Sequence, residues 1–437
     1  MMKPNQADIC TLPLTTLLQH LEQGVLRLPE IIAAYYQRIA EREPEVLAWQ
    51  YLVSQENYLA EYAAHQDFYE QSLLKGLPFA VKDVIDTAHI PTRMGSDIHN
   101  LRIPQMDASC VTAIKAAGGI VMGKTVTTEF AYFKAGKTNN PHDKTRTPGG
   151  SSSGSAAAVA DFMVPFAFGT QTAASVIRPA AYCGSIGYVG SKNEYSLRNI
   201  QPLAQSLDSL GIISNDVRDT LLVRNILLQR PVFTTPKSLP QDLRFSVFDG
   251  KNLGEIDTDM QQCLQTATAT LHQQGHQEVA FPHTDAIAEL TTLHSAIMAY
   301  EVARNLVYEA NTDQVSPQLH ELIQTGLALP YEEYVTKVAR VEALKQALLQ
   351  WWQQQEIDFL LAPAAPGVAP KKETGTGAPF MSRAWQVLGL PTVTLPLAQA
   401  HGLPLALQII GAPKSDDFVL SAAGHLTAAI QAAQASA

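Results

Sequence analysis

Short apolar segments alternate with helical ones between residues 78 and 125, and this alternation constrains the fold more than any other feature of the sequence. PFAVKDVI at 78–85 and GIVMGKT at 119–125 have the composition of buried strands, and VTAIKAA at 111–117 has that of a helix between them. Strands that alternate with helices are typical of layered α/β proteins. We therefore predict an α/β fold.

The flanking regions extend this pattern. Apolar residues at helical spacing predict two helices within residues 12–43, and long helices with many polar positions are predicted over about 285–355. Strand-like segments return near 358–364 and 389–397. Because strands lie on both sides of it, we interpret 285–355 as a helical excursion from one sheet-based body. A separate helical domain is the less favoured alternative.

Composition excludes several classes of protein. The 437 residues include 16% charged residues, too few for a disordered chain, and the net charge of −10 argues against a nucleic-acid surface. No apolar run approaches the roughly 18 residues of a membrane span, and the N-terminus lacks the apolar core of a signal peptide. Four scattered cysteines indicate reduced thiols, and hence a cytoplasmic protein; they are Cys10, Cys110, Cys183 and Cys263.

Three catalytic motifs match the sequence but lack the context that their chemistry requires. Residues 118–125 fit the phosphate loop GxxxxGK[ST], yet they follow a predicted helix and contain a predicted strand, which reverses the required order. Residues 72–75 fit SxxK without its companion motifs. Residues 150–154 fit the GxSxG nucleophile elbow, but no strand precedes them and no downstream histidine has a suggestive context. We interpret them as a buried strand, a solvated helix end and a loop.

A lysine inside a predicted buried strand is a more specific signal. Lys82 lies in the apolar segment 77–88, where a charged side chain is costly unless it is paired or neutral. Pairing with Asp83 is one interpretation, although consecutive strand residues point to opposite faces. A neutral lysine able to activate a serine is the other. Serines are available in the Gly- and Ser-rich loop 149–155 and in the small-residue turn 169–184.

Together these segments resemble those of the amidase signature family. LPFAVKDVIDTAHIPTRMGS at 77–96 is similar to the lysine segment of the family, TPGGSSSGSAAAVA at 147–160 to its glycine-serine loop, and GTQTAASVIRPAAYCG at 169–184 to its nucleophile segment. The match extends to further segments and covers roughly residues 10–430, in family order, and the combined motifs are highly specific.

The resemblance implies a catalytic triad of Ser-cisSer-Lys type. Lys82 corresponds to the lysine, Ser151 to the serine that follows a cis peptide at Gly150–Ser151, and Ser175 to the nucleophile. Ser151 and Ser175 stand 24 residues apart, which is the spacing common in the family.

Roles for neighbouring residues follow from the same match. An oxyanion is expected against the backbone N–H groups of Thr172, Ala173, Ala174 and Ser175. Arg178 and Pro179 are interpreted as supporting this turn rather than contacting substrate. The loop serines are expected to serve in hydrogen bonding and helix capping; they are Ser152, Ser153 and Ser155.

Three departures from the family pattern concern the surroundings of the triad. The Gly-Gly pair before the nucleophile is Ala173-Ala174, which would be strained if a positive φ were required there. An acidic residue often found two positions before that pair is Gln171. The Lys-Pro-Thr sequence that normally follows the nucleophile turn is Val189-Gly190-Ser191 here. The family pattern therefore does not predict the shape of the adjacent pocket or the class of substrate.

The resemblance implies a single large, mixed, twisted β-sheet covered by helices on both faces. We predict an N-terminal helical segment at 1–60 and an amidase signature domain at 61–437, with variable pocket walls within about 205–355. The expected activity is hydrolysis of a small-molecule carboxylic amide without metal or organic cofactor, membrane or nucleic acid. A homodimer would fit the family. The alternatives are the glutaminase subunit of a tRNA-dependent amidotransferase and a non-catalytic binding protein on the same scaffold.

Overall fold

The computed structural model describes residues 4–232 and 235–435, so the outermost residues of the predicted domain bounds, 1–3 and 436–437, lie outside it. Within the described residues the chain forms one sheet of eleven strands. In chain order they are β1 Trp49–Leu52, β2 Pro78–Lys82, β3 Ile120–Thr125, β4 Phe166–Gln171, β5 Ile186–Val189, β6 Ser209–Ser214, β7 Arg244–Val247, β8 Gln277–Glu278, β9 Phe359–Pro363, β10 Thr392–Ala400 and β11 Leu403–Gly411.

Sixteen α-helices are present in the same residues. They are α1 Gln6–Ile9, α2 Leu14–Glu22, α3 Leu28–Val46, α4 Gln55–Ala64, α5 Gln66–Gln71, α6 Ser109–Ala116, α7 Ser153–Ala160, α8 Ile177–Cys183, α9 Val217–Leu227, α10 Thr258–Gln273, α11 Thr284–Asn305, α12 Val307–Ala310, α13 Pro317–Ala328, α14 Tyr331–Gln354, α15 Phe380–Leu388 and α16 Asp416–Ala435.

The sheet is mixed, in the order β1-β3-β2-β4-β6-β5-β10-β11-β9-β7-β8. β2 pairs in parallel with both β3 and β4, whereas β4, β6, β5, β10, β11 and β9 form a run of antiparallel neighbours. Every residue of β2, β3, β4, β9 and β11 is buried, as expected for strands covered by helices on both faces. The predicted fold class is therefore confirmed.

The predicted elements are present where the sequence analysis expected them. α2 and α3 account for the two helices within 12–43, and α11 to α14 occupy the helical excursion at 285–355. Residues 120–125 form the buried strand β3, so the phosphate-loop match has no structural basis. Residues 72–75 follow the end of α5, and no strand directly precedes residues 150–154. Across the described residues, no helix is both long and apolar enough to cross a membrane.

The parallel pair β2 and β4 determines where chemistry can occur. Because the two strands run in the same direction, their carboxyl ends meet at the same edge of the sheet. β2 ends at Lys82, β4 ends at Gln171, and the loop that enters α7 passes over both ends. Crevices at the carboxyl ends of parallel strands are the usual ligand sites of α/β proteins.

Candidate active site

Lys82 occupies the end of β2 and has no exposed surface. Its Nζ donates to Ser151 Oγ at 2.7 Å and to Thr170 Oγ1 at 2.8 Å. Asp83 does not pair with it, because that carboxylate faces Lys124 at 4.0 Å instead. Burial therefore lowers the pKa of Lys82 well below that of an ordinary lysine, and the more distant charge of Asp208 opposes the shift only partly.

Ser151 lies in the loop before α7, and the peptide bond between Gly150 and Ser151 is cis. The loop is held by Arg178, whose guanidinium donates to the carbonyl oxygens of Gly150 and Gly377 at 2.6 Å each. Two of the three residues predicted to form the triad, Lys82 and Ser151, are thus in direct contact. The supporting role expected of Arg178 agrees with these bonds.

The other loop serines make structural hydrogen bonds. Ser152 Oγ accepts from the Thr170 N–H at 3.3 Å, Ser153 Oγ donates to the Val126 carbonyl at 3.2 Å, and Ser155 Oγ donates to the Phe168 carbonyl at 2.9 Å. These bonds tie the loop to strand β4 and to the end of β3. The expected helix capping is not observed, because the side chain of Ser152, the residue at the N-cap of α7, makes no capping bond.

Ser175 lies in the turn between β4 and α8 and is 8% exposed. Its backbone carbonyl accepts from the Ser152 N–H at 3.2 Å, which fixes the turn against the Gly- and Ser-rich loop. No hydrogen bond joins the hydroxyls of Ser175 and Ser151 in the described part of the chain, although both side chains line the same cavity. The structure thus brings all three predicted residues to one site and leaves the Ser175 hydroxyl available to a ligand.

The turn also presents unused hydrogen-bond donors. Within residues 4–232 and 235–435, the backbone N–H groups of residues 172–175 donate to no protein acceptor. The next two N–H groups, of Val176 and Ile177, donate to Gln171 Oε1 at 2.9 and 3.1 Å. Four adjacent N–H groups without partners beside a serine hydroxyl are suited to stabilise a developing oxyanion.

Two of the departures from the family pattern have a structural explanation. Neither Ala173 nor Ala174 is among the residues with positive φ, so this turn carries no strain from the loss of glycine. Gln171 replaces an acidic residue and accepts the two N–H bonds described above. Its Nε2 donates to Gln386 Oε1 at 2.9 Å, and Gln386 Nε2 returns a bond to the Gln171 carbonyl at 3.1 Å.

The third departure does not touch the candidate site. Ser191 donates to Asp416 Oδ2 at 2.6 Å and lines a separate cavity of about 350 Å³ together with Gly190. Neither residue lines the cavity that contains Ser175.

Two further residues stabilise the turn and were not found by the sequence analysis. His294 on α11 is buried and bonds through Nε2 to the Thr172 carbonyl at 2.7 Å, and burial lowers its pKa to about 3. An imidazole that is neutral at ordinary pH therefore acts as the donor in this bond. Asp208 accepts from Thr172 Oγ1 at 2.5 Å, and burial raises its pKa to about 7.

The cavity above Ser175 is narrow, with a volume of about 30 Å³. Phe133, Met298 and Leu203 contribute apolar walls, and the guanidinium groups of Arg178 and Arg383 are the only charged groups that the described residues place in its lining. Space of this size holds about one water molecule. In this conformation the cavity therefore admits only a few substrate atoms beside Ser175.

With this geometry described, comparison with known proteins identifies the class. Residues 30–420 match the family described as Amidase, and the chain belongs to this amidase signature family. Among curated proteins it is similar to the A subunit of the glutamyl-tRNA(Gln) amidotransferase of Natranaerobius thermophilus, with 27% identity over 94% of each chain. The corresponding protein of Roseiflexus castenholzii is 29% identical over 92% of each chain.

Solved structures share the fold. A crystal structure of an amidase superposes with a TM-score of 0.85 at 28% identity and covers 95% of this chain and 99% of that one. The A subunit of the glutamyl-tRNA(Gln) amidotransferase from Thermotoga maritima gives a TM-score of 0.77 at 25% identity, over 97% and 95% of the two chains. A 6-aminohexanoate cyclic dimer hydrolase complexed with substrate has a TM-score of 0.86 at 21% identity, over 97% and 98% of the chains, and shows similarity of fold alone.

Proposed function

We propose that this protein is an amidohydrolase that cleaves the C–N bond of a small carboxylic amide through an acyl-enzyme on Ser175. The observation that carries the proposal is the buried Lys82, which is bonded to the hydroxyl of Ser151 and has no carboxylate partner among the described residues. Membership of the amidase signature family supports the same chemistry.

Lys82 is the base in this scheme. Its lowered pKa favours the neutral amine, which can accept a proton from Ser151. We expect kcat/KM to fall on acidification, because protonation of Lys82 removes the base. Full activity at pH 5 would contradict a lysine base.

The reaction then proceeds in two halves. The Ser175 oxygen forms a bond to the carbonyl carbon while its proton passes to Ser151 and the Ser151 proton passes to Lys82. The resulting oxyanion accepts hydrogen bonds from the N–H groups of residues 172–175. As the C–N bond breaks, the proton returns through Ser151 to the leaving nitrogen. Water attacks the acyl-enzyme by the same relay and releases the acid.

The relay requires Ser175 and Ser151 to come within hydrogen-bond reach when substrate is present. Both hydroxyls line one cavity, and catalytic hydrogen bonds often shorten only in the substrate complex. The Lys82 amine also bonds to Thr170, and this bond holds the amine beside Ser151. The amine therefore needs no rearrangement.

Labelling by a fluorophosphonate probe, together with ammonia release from a panel of aliphatic, aromatic and urea-type amides, tests the proposal. We expect the wild type to be labelled and Ser175→Ala to lose both labelling and turnover. Ser153→Ala is the matched control, because the hydroxyl of that loop serine bonds to a backbone carbonyl, and it should keep both. Labelling of the Ser175→Ala variant would mean that another residue is the nucleophile. An unlabelled wild type that releases no ammonia would favour a non-catalytic binding protein.

A second candidate function is the glutaminase subunit of a tRNA-dependent amidotransferase. The specific observation in its favour is that the curated relatives named above are amidotransferase A subunits matched over almost their whole length. In that case glutamine would be the amide, and the ammonia would pass to a partner protein.

Assays on the purified chain separate the two functions. An independent amidohydrolase should turn over simple amides without any other protein. A glutaminase subunit should prefer glutamine, show little activity alone and co-purify with a partner. Efficient hydrolysis of simple amides by the isolated chain would exclude the glutaminase role as the main one.

A further inference from the structure

The charged residues that line the candidate site are all positive. The described residues that line the cavity above Ser175 include two arginines, Arg178 and Arg383, and no aspartate or glutamate. A pocket with this lining repels cationic ligands and attracts anionic ones, more strongly in a narrow site than in open water.

The two guanidinium groups differ in what they bind. Both terminal nitrogens of Arg178 are used by the carbonyls of Gly150 and Gly377, as described above. The side chain of Arg383 makes no hydrogen bond or ion pair with any residue in the described ranges, and its Nε, like that of Arg178, is buried without a partner. Burial also lowers the pKa of Arg383, which reflects the loss of hydration around its charge. The terminal nitrogens of Arg383 are therefore the guanidinium donors of this lining that no described protein acceptor occupies.

The position of Arg383 on α15 directs it to the reacting atoms. Gln386 lies one helical turn further on and is bonded to Gln171, which holds the nucleophile turn. Residues three apart share a face of a helix, so Arg383 is on the face that approaches Ser175. Pro379, just before the helix, lines the same cavity.

From this arrangement we infer that Arg383 binds a carboxylate on the acyl part of the substrate, so that the preferred substrates are short monoamides of dicarboxylic acids. This inference rests on the proposed amidohydrolase function. A planar guanidinium offers paired N–H donors that match a carboxylate. Arg383 and Ser175 line the same narrow cavity, so only a few carbons can separate the amide from the carboxylate. Because this cavity holds about one water molecule here, substrate binding also requires its walls to move apart.

Paired substrates of equal length test the inference. Succinamate carries the carboxylate, and butyramide has a methyl group in its place. For the wild type we expect kcat/KM to be about 100-fold higher for succinamate, since a desolvated charge pair of this kind contributes a few powers of ten at most. Arg383→Gln should reduce this preference to nearly one; because the preference compares two amides in the same variant, a general loss of activity does not affect it. Arg383→Lys should restore part of the preference.

Lys134→Gln is the matched control. Lys134 adjoins Phe133 of the cavity wall, but its side chain is 55% exposed and faces Glu129, so its loss changes the net charge without removing the proposed contact. The preference for succinamate should survive this change. If Lys134→Gln and Arg383→Gln reduce the preference equally, the effect is general electrostatic attraction and the inference is wrong.

A binding measurement covers the case in which an Arg383 variant does not fold. Calorimetric titration of the Ser175→Ala protein with succinamate and with butyramide should show tighter binding of succinamate. Equal binding would overturn the inference. Failure of the proposed function looks different, because Ser175 would then resist fluorophosphonate and neither amide would be hydrolysed. Hydrolysis of both amides at equal rates would overturn only the carboxylate site.

Discussion

Two buried lysines on neighbouring strands show how the same side chain can serve two purposes. Lys82 on β2 and Lys124 on β3 are both fully buried. In the parallel pairing Lys124 stands opposite Val81 rather than Lys82, so the two side chains point to opposite faces of the sheet. Lys124 bonds to Thr92 Oγ1 and the Ile85 carbonyl and faces the Asp83 carboxylate, whereas the bonds of Lys82 to described side chains go only to hydroxyl groups.

The difference lies in the charge of the partner. Burial lowers the pKa of both lysines. The carboxylate beside Lys124 limits the shift, and the pKa of Lys124 is lowered only to about 8. Burial raises the pKa of Asp83 to about 6, and the charge of Lys124 opposes this shift, so each group favours the charged form of the other. Lys82 lacks such a partner among the described residues, and its neutral form is favoured. Burial alone therefore does not make a base; burial without a counter-charge does.

Replacing each lysine by methionine should separate the two roles most strongly. We expect Lys82→Met to lower kcat/KM for an amide by ~10³-fold or more, because members of a proton relay act as a unit. Lys124→Met, assayed per folded molecule, should stay within about tenfold of the wild type. Equal losses in both variants would show that Lys82 has no special catalytic role.

Stability should change in the opposite order. Lys124→Met leaves the Asp83 carboxylate buried and unpaired, which costs about 3–5 kcal/mol of unfolding free energy. Lys82→Met replaces a neutral amine and should cost less than this. Urea denaturation followed by circular dichroism measures both values. A greater loss of stability in Lys82→Met would indicate that the charge on Lys82 is structural.

The hydroxyl partners provide a finer comparison. Ser151→Ala interrupts proton return to the leaving group, so it should reduce hydrolysis of an amide more than that of an ester with the same acyl group, by about 10-fold to 100-fold in the ratio of kcat/KM values. Thr92→Val removes the hydroxyl bonded to Lys124 and should leave the ratio unchanged. A selective amide defect in Ser152→Ala instead would mean that the Gly- and Ser-rich loop has been assigned one residue out of register.

The pH dependence of stability also distinguishes the two lysines. Between the folded pKa of Lys82 and the value of ~10.4 for an unfolded lysine, the unfolded chain binds one more proton, so the free energy of unfolding rises with pH by about 1.4 kcal/mol per unit. This contribution is complete above ~10.4 and is lost as pH falls towards the folded pKa. Lys82→Met should remove that slope over the whole range between the lowered folded pKa and ~10.4. For Lys124 the corresponding rise of the unfolding free energy begins only at about pH 8, which is its folded pKa.

Local patterns in the sequence predicted much of the fold. Apolar runs identified β2, β3, β9 and β10, and helical spacing identified α2 and α3. The strand β8 is two exposed polar residues, Gln277 and Glu278, and no pattern of burial could have indicated it. The order of strands depends on packing between distant segments and was not predicted; the resemblance implied only a single mixed sheet.

The candidate site divides in the same way. An isolated lysine in an apolar strand drew attention to Lys82, but Lys124 in β3 has the same local signal, so the family pattern was needed to choose between them. Ser151 and Ser175 needed the family pattern, since several serines nearby are chemically equivalent in sequence. Arg383 and His294 carried no local signal, because each reaches the site from a helix more than 100 residues away in the chain.

Support for the nucleophile turn comes late in the chain. Gln386 fixes Gln171 across 215 residues, and His294 reaches Thr172 across 122. A ribosome that has just completed Ser175 therefore holds a serine whose turn still lacks these contacts. Because chains emerge from the N-terminus, the turn is fully supported only after α15 has left the exit tunnel. Chains that terminate before α15 are consequently expected to be inactive. Ser175 is then not acylated in incomplete proteins.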